Sequence, residues 1–384
     1  MAVMLPLGNT GRLYVRCGLA VAILLSLTVG SCGSVTSAPS ATTPAKSPSL
    51  VTEPSSGWRP VPVSAQSGVM VYKAITATGP ADAWAVGQAS GGFVPGVYPL
   101  VLHWNGKRWQ RMPLPAATRH WEMFTSVVAT SPANVWVTAA SYASQEFAVI
   151  YHYDGAGWRE IPVPAHVYSI SSMAVSRDGH LWITGHAHLD AYVARWDGRA
   201  WTPLTPPGPP ATLTGIVART DSDVWVTGDP QSLYHWDGEH WTRAASPVQA
   251  GGSLPQVIAL SASDVWAAGA VGGFGIRGEP PPAGLLHWDG LHWSTVQVPF
   301  QGDNPLSGIT PDGAGGIWVI PLTSSSPGPK YLHWHAGQWT VVSAKPLAPL
   351  SGEEDAVAIA QIPGTQQVWS ADAGANPVLR LYTP

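Results

Sequence analysis

Residues 223–241 read Asp-Val-Trp-Val-Thr-Gly-Asp-Pro-Gln-Ser-Leu-Tyr-His-Trp-Asp-Gly-Glu-His-Trp. Two apolar runs, 224–226 and 233–236, flank a short polar link, and a third apolar position, Trp241, follows an Asp-Gly pair. Asp-Gly or Asn-Gly between apolar runs is a strong hairpin signal, since both turn positions call for positive φ. With the apolar run at 213–218 just upstream, the unit reads as four short strands near 213–218, 224–227, 232–236 and 241–243.

The same unit recurs along the chain. Its first motif centres on Trp84, Trp136, Trp182, Trp225, Trp266, Trp318 and Trp369, each after a polar turn and usually after Val or Ile. Its second motif runs from His103 to Trp109, His152 to Trp158, Arg195 to Trp201, His235 to Trp241, His287 to Trp293 and His333 to Trp339; in the last, His335 stands where the others carry Asp or Asn. Of the 20 Trp, these motifs absorb all but Trp121, provided that Trp58 is counted with the second motif. Four-stranded units spaced 40–52 residues apart are the mark of a β-propeller blade, and stacked blades bury faces that one blade cannot bury alone. The expected fold is therefore all-β, a seven-bladed β-propeller over residues 57–384. The last unit lacks a fourth strand, and Gly57-Trp58-Arg59-Pro60-Val61-Pro62-Val63 looks like a fourth strand without the preceding three. Residues 57–63 are thus expected to close the ring against 378–382 and to hide two open sheet edges.

Composition agrees. Charged residues are 11% of the 384, while Gly (41) and Pro (37) are too frequent for a helical bundle or a doubly wound sheet. The formal net charge of −4 offers no basic footprint for nucleic acid. The chain has two Cys, Cys17 and Cys32, so disulfides, thiolate metal sites and Cys nucleophiles are not expected in the repeats.

Upstream of the repeats, Arg12 and Arg16 precede an apolar run at 17–30, a length that suits a signal-peptide core better than a membrane span. The run ends in Val29-Gly30-Ser31-Cys32, which resembles the lipobox of bacterial lipoproteins. The resemblance implies a signal peptide at 1–31, diacylglycerol on Cys32 as the new N-terminus, and a lipid-anchored chain on the outer face of the cytoplasmic membrane. Residues 32–56, rich in Ser, Thr, Pro and Ala, then read as a tether that does not order itself.

Candidate functional residues follow from what the repeats do not absorb. Links between the second and third strands, and between units, vary in length, and function usually resides on such loops. Trp121 lies in one of them, within Arg119-His120-Trp121-Glu122, an aromatic platform beside a cation and a carboxylate suited to a sugar or peptide. Arg277 and Glu279 lie on the longest strand-two loop, and Glu353, Glu354 and Asp355 form an acidic cluster before the last unit. His186 and His188, with Asp190, form a possible divalent-metal set on one side of a strand; otherwise no cofactor is expected. The His that opens the second motif recurs in five units and reads as structural.

The Asp-Val-Trp-Ala-Val-Gly and His-Trp-Asp-Gly-x-x-Trp elements together resemble those of secreted bacterial propeller lipoproteins, over about 57–384. WD repeats share the Trp-Asp pair at 196–197, 236–237 and 288–289 but carry a repeated Gly-His that is missing here. Sialidase Asp boxes place a residue between Asp and Gly, and kelch units carry a Gly pair. The fold hosts many functions. The expectation is a binding scaffold for a glycan, peptide or envelope protein. The alternative is a glycan-processing hydrolase or lyase in the central bowl, which needs paired carboxylates about 5–9 Å apart.

Overall fold

The computed structural model describes residues 50–53, 57–63, 69–90, 97–114, 122–141, 148–164, 166–187, 190–208, 212–229, 232–248, 251–272, 282–299, 305–322, 329–345, 355–373 and 377–384. The described elements are all β-strands, in seven sheets. Blade one pairs Val69–Gly79, Asp82–Ser90, Val97–Trp104 and Trp109–Arg111 in chain order, each antiparallel to the next. Blades two to five repeat this order, their first strands being Glu122–Ser131, Val167–Val175, Leu213–Thr220 and Gly252–Ser261. Blade six comprises Leu306–Pro311, Ile317–Pro321, Lys330–His335 and Gln338–Ser343. Blade seven has Asp355–Gln361, Val368–Ala373 and Leu379–Tyr382, and its fourth strand is Trp58–Val61. Each blade's first strand neighbours the next blade's, and blade seven's neighbours blade one's, so the ring is complete.

The closure is the one read from the repeats. Trp58 faces Tyr382 and Val61 faces Leu379 in antiparallel register. Trp58 is buried, stacks on Tyr331 of blade six at 3.8 Å, and meets Trp318 edge-on at 5.9 Å. Beside it lies a buried polar cluster that joins blades six and seven. The Arg380 guanidinium, itself 1% exposed, donates to Asp372 at 2.5 Å and to the Lys345 carbonyl at 2.9 Å. The hydroxyls of Ser370 and Tyr331 donate to the other oxygen of Asp372, at 2.8 and 3.2 Å. Burial pushes the Asp372 carboxyl above its ordinary value, opposed by the Arg380 charge.

Two local expectations are corrected. The first concerns the tether: Leu50–Glu53 is a strand, parallel to the outermost strand of blade six, with Leu50 opposite Trp339. The tetrapeptide Leu-Val-Thr-Glu, with two β-branched residues at its centre, covers an edge that would otherwise present unpaired backbone groups. The second concerns the second-motif turn. In blade one Trp104 pairs with Trp109, so the loop has four residues and only Gly106 has positive φ. Asn105 instead caps the loop, its side-chain oxygen accepting the Lys107 and Arg108 N–H groups, both at 3.1 Å. Asp154, Asp197, Asp237 and Asp289 do the same in blades two to five. Only in blade six, where His335 replaces the cap, does His335 pair with Gln338 across a two-residue turn, with φ of 48° at Ala336 and 79° at Gly337.

Removing the Trp58 side chain empties the aromatic joint that latches the ring. Trp58→Ala is expected to lower unfolding stability by about 3–5 kcal/mol, the range for deleting a large buried aromatic. Chemical denaturation followed by far-UV circular dichroism measures this, and an unchanged midpoint would show that the latch lies elsewhere.

Candidate functional site

Every first strand carries an irregularity at the same level. Register shifts fall between Tyr72 and Ala74, Phe124 and Ser126, Ile170 and Ser172, Leu213 and Gly215, Ser253 and Gln256, Leu306 and Gly308, and Ala356 and Ala358. A bulge turns the extra residue out of the pleat. The residues so placed include Lys73, Thr125, Ser171, Thr214, Pro255, Ser307 and Val357, and all seven line a central cavity of ≈ 260 Å³ that touches all seven blades. The bulge explains the glycine that ends the first motif. A Cβ on Gly87 would stand 2.0 Å from the Val71 carbonyl oxygen, and one on Gly185 1.9 Å from that of Ser169.

The cavity lining is rich in hydroxyls, has one amide, Gln256, and one charge, the exposed Lys73 ammonium; no carboxylate is among the lining residues. The bulges lie within a few residues of the strand starts, on the rim that carries the inter-blade links. Serine and threonine hydroxyls both donate and accept, and an ammonium donates three ways, so the ring suits a polar ligand with an anionic group. Among the described residues, its lining holds no carboxylate pair for acid–base cleavage.

The opposite rim holds a second repeated constellation, built from the first-motif Asp and Trp and the second-motif His. In blade one, Asp82 accepts from His103 Nε2 at 2.7 Å, from the Trp84 indole at 3.2 Å and from the Thr78 hydroxyl. The His103 ring stacks on Trp84 at 4.3 Å. The Trp–His stack recurs in blades two, four, five and six at 4.0–4.6 Å. Burial would raise Asp82, but the hydrogen bonds from His103 and Thr78 more than offset it and hold the carboxyl below its ordinary value. Blade three carries His180 where the Asp would be. Asp221, from the next blade's turn, takes its place and accepts from Ser176 at 2.7 Å, Arg195 at 3.0 Å and the Trp182 indole at 3.1 Å, and from His180.

Blade two substitutes Asn134, whose amide oxygen accepts from His152 Nε2 at 2.8 Å and from the Trp136 indole at 2.9 Å. The Arg159 guanidinium donates to His152 Nδ1 at 3.3 Å. Burial first, and the Arg159 charge second, push the His152 pKa down to about 4. A neutral amide gives the imidazolium no compensation.

The sequence-derived candidates are placed as follows. Arg119, His120, Trp121, Arg277, Glu279, Glu353, Glu354, His188 and Cys32 lie outside the described residues. Glu122 opens the first strand of blade two and the half-buried Asp355 that of blade seven, both at the rim near the bulge ring. The metal set is not brought together on one face: His186 pairs with Ala191, and Asp190 with the neighbouring Ala187, so His186 and Asp190 point to opposite sides of the sheet. His186 Nδ1 instead lies 3.4 Å from the Ser169 hydroxyl. The bulge ring went unread in the sequence, although in six blades its residue stands eleven positions before the motif Trp, as Lys73 does before Trp84 and Ser307 before Trp318.

No protein-family model matches the chain, and no curated protein does. Solved structures do. A structure described as YCF48 bound to D1 peptide is 13% identical, with a TM-score of 0.58, over 85% of this chain and 97% of the other. A streptogramin B lyase is 13% identical, with a TM-score of 0.59, over 84% and 96%. A GH74 xyloglucanase from Xanthomonas campestris is 14% identical, with a TM-score of 0.58, over 84% of this chain and 53% of that one. At these identities the likeness is one of fold.

The depressed His152 pKa has a definite sign. The unfolded chain takes up the proton near the ordinary value of 6.5 and the folded chain only near 4. The contribution of this site to stability is therefore complete above about 6.5 and is lost as pH falls toward about 4. Asn134→Asp recreates the carboxylate partner of the other blades and should move the His152 midpoint upward by about one unit or more. Imidazole NMR titration reads this directly; a midpoint unmoved by the substitution would show that residue 134 does not govern the ring.

Proposed function

We propose that this chain is a lipid-anchored, extracytoplasmic binding scaffold that recognises a glycan, peptide or envelope protein at the rim carrying the bulge ring and the inter-blade links. One observation carries the reading: the cavity reached by all seven blades carries Ser and Thr hydroxyls, the Gln256 amide and the Lys73 ammonium beside its apolar lining residues, and no carboxylate is among them. Such a surface reads a ligand by hydrogen bonds and by one positive charge. In blades one and five the second repeated constellation is taken up internally, its Asp, His and Trp groups engaged with one another. The peptide-bound structural neighbour supports a binding role for this architecture. The xyloglucanase supports the rival reading, a glycan-processing enzyme, and the streptogramin B lyase is a second enzyme on this architecture. That reading needs a carboxylate pair, which the described lining lacks. The anchor is Cys32 in Val29-Gly30-Ser31-Cys32, which would hold the chain on the outer face of the cytoplasmic membrane.

Two experiments test this. Cys32→Ser should shift the full chain from the membrane to the soluble fraction and abolish incorporation of radiolabelled fatty acid; retention without label would remove the anchor from the proposal. The folded chain, screened against wall glycans and envelope proteins, should retain a ligand. Lys73→Met should then weaken retention about tenfold or more, as expected for losing one charge-assisted hydrogen bond. Turnover of a glycoside substrate with no retained ligand would favour the enzyme.

A further inference from the structure

Blade six departs from the other blades at one rim. Its turn between the first and second strands is longer, so the carboxylate comes from Asp312, six residues before Trp318, where Asp82 stands two before Trp84. Asp312 Oδ1 is fixed by the backbone N–H groups of Ala314 at 2.7 Å and Gly316 at 2.8 Å. Its Oδ2 faces two imidazoles: His333 Nε2 at 2.9 Å and His335 Nδ1 at 2.8 Å. His333 is the motif histidine, stacked on Trp318 at 4.2 Å with the rings 6° from parallel. His335 occupies the position that caps the turn in blades one to five. The two-residue turn at Ala336 and Gly337 makes the cap unnecessary, and the His335 side chain turns to Asp312 instead.

We propose that Asp312, His333 and His335 form a binding site for a divalent transition-metal ion of the zinc type. The three donor atoms lie within 4.8 Å of one another. Two imidazoles and one carboxylate suit zinc and its neighbours, whereas calcium and magnesium prefer all-oxygen sets. Donors bound tetrahedrally at ~2.1 Å stand about 3.4 Å apart, so the two His–Asp distances must open by about half an ångström. His335 can supply that movement, since its side chain is 46% exposed while that of Asp312 is 4% exposed. The outer shell is already in place. The backbone holds the remote carboxylate oxygen, and the Trp318 face sets the plane of His333, the kind of support that fixes ligand orientation. Gly316 keeps the space clear: a Cβ there would lie 2.5 Å from Asp312 Oδ2 and 2.9 Å from His335 Nδ1. The exposed side of His335 leaves at least one coordination position to water or to an exogenous ligand. Blades one and five, with Asp82–His103 and Asp264–His287, have the same pair without a second imidazole, and their turn positions are engaged in capping.

The full chain, stripped of metal with a chelator, is titrated with Zn²⁺ by calorimetry and with Co²⁺ by visible absorption. One equivalent should bind, with ligand-field bands of a nitrogen- and oxygen-ligated Co²⁺. His335→Asn keeps a residue able to cap the turn, as Asn105 does in blade one, and should weaken Zn²⁺ binding by at least the roughly 10–100-fold that even an outer-shell change costs. His186→Asn should leave the titration unchanged. Tryptophan fluorescence and circular dichroism confirm that each variant is folded. Failure of the folded wild-type chain to take up Zn²⁺ saturably, or equal uptake by His335→Asn, or loss of uptake in His186→Asn, overturns the assignment.

Discussion

Neighbouring blades are held apart and together by one kind of contact, an indole wedged between two sheets. In six blades the Trp of the second strand is covered within its own blade, by a His ring in blades one, two, four, five and six and by Arg195 in blade three. On its other side it meets the outer aromatic pair of the following blade. Trp84 meets Tyr153 and Trp158, Trp225 meets Trp288 and Trp293, and Trp318 meets Tyr382 and Trp58. Trp369 meets Trp104 and Trp109, which carries the same contact across the closure. Sheets fanned about an axis diverge outward, and only large flat side chains fill that gap at edge-to-face distances. In blades one, two and five a carboxylate or amide two residues before the Trp accepts the buried indole N–H, whereas the indole N–H groups of Trp225 and Trp369 are buried without an acceptor. The acceptor in turn recruits the His that stacks on the indole. One packing requirement thus generates most of the repeat.

That requirement explains what the sequence discloses. Trp spacing, the Asn-Gly and Asp-Gly turns and the displaced fourth strand at Trp58 are all consequences of the wedge, and they were legible because they repeat. Features that do not repeat chemically were not. The bulge residues Lys73, Thr125, Ser171, Thr214, Pro255, Ser307 and Val357 share a backbone conformation and no side-chain type, so only their spacing to the Trp marks them. The strand Leu50–Glu53 is four residues long, lies in a Ser/Thr/Pro-rich context and pairs with residues almost three hundred positions away. The turn was misread for a related reason. The sequence pair Asp-Gly fits both a two-residue turn with positive φ at each position and a four-residue loop capped by the Asp side chain. The pairing of Trp104 with Trp109 selects the second. His186 and Asp190 looked convergent along the sequence, but the hairpin register sets them on opposite faces.

A ring built from seven copies also offers an internal test of what a departure from the repeat signifies. Where one copy changes and a neighbour restores the lost interaction, the scaffold accounts for the change. Asp221 restores the carboxylate that blade three lacks, and Asn134 keeps the indole acceptor in blade two. In blade seven the residue after the motif is Asp372 in place of Gly, and Arg380, Tyr331 and Ser370 satisfy it completely. These departures close on themselves. Lys73 and His335 are departures of another kind. Lys73 puts the one charge of the cavity lining where other blades put hydroxyls or apolar groups, and no carboxylate in that lining balances it. His335 gives up a turn cap held in five other blades and brings a second imidazole to a carboxylate that one His already satisfies elsewhere in the ring. Neither substitution adds to the packing of the ring, and each is accounted for by the contact proposed for it, an anionic ligand group at Lys73 and a metal ion at His335.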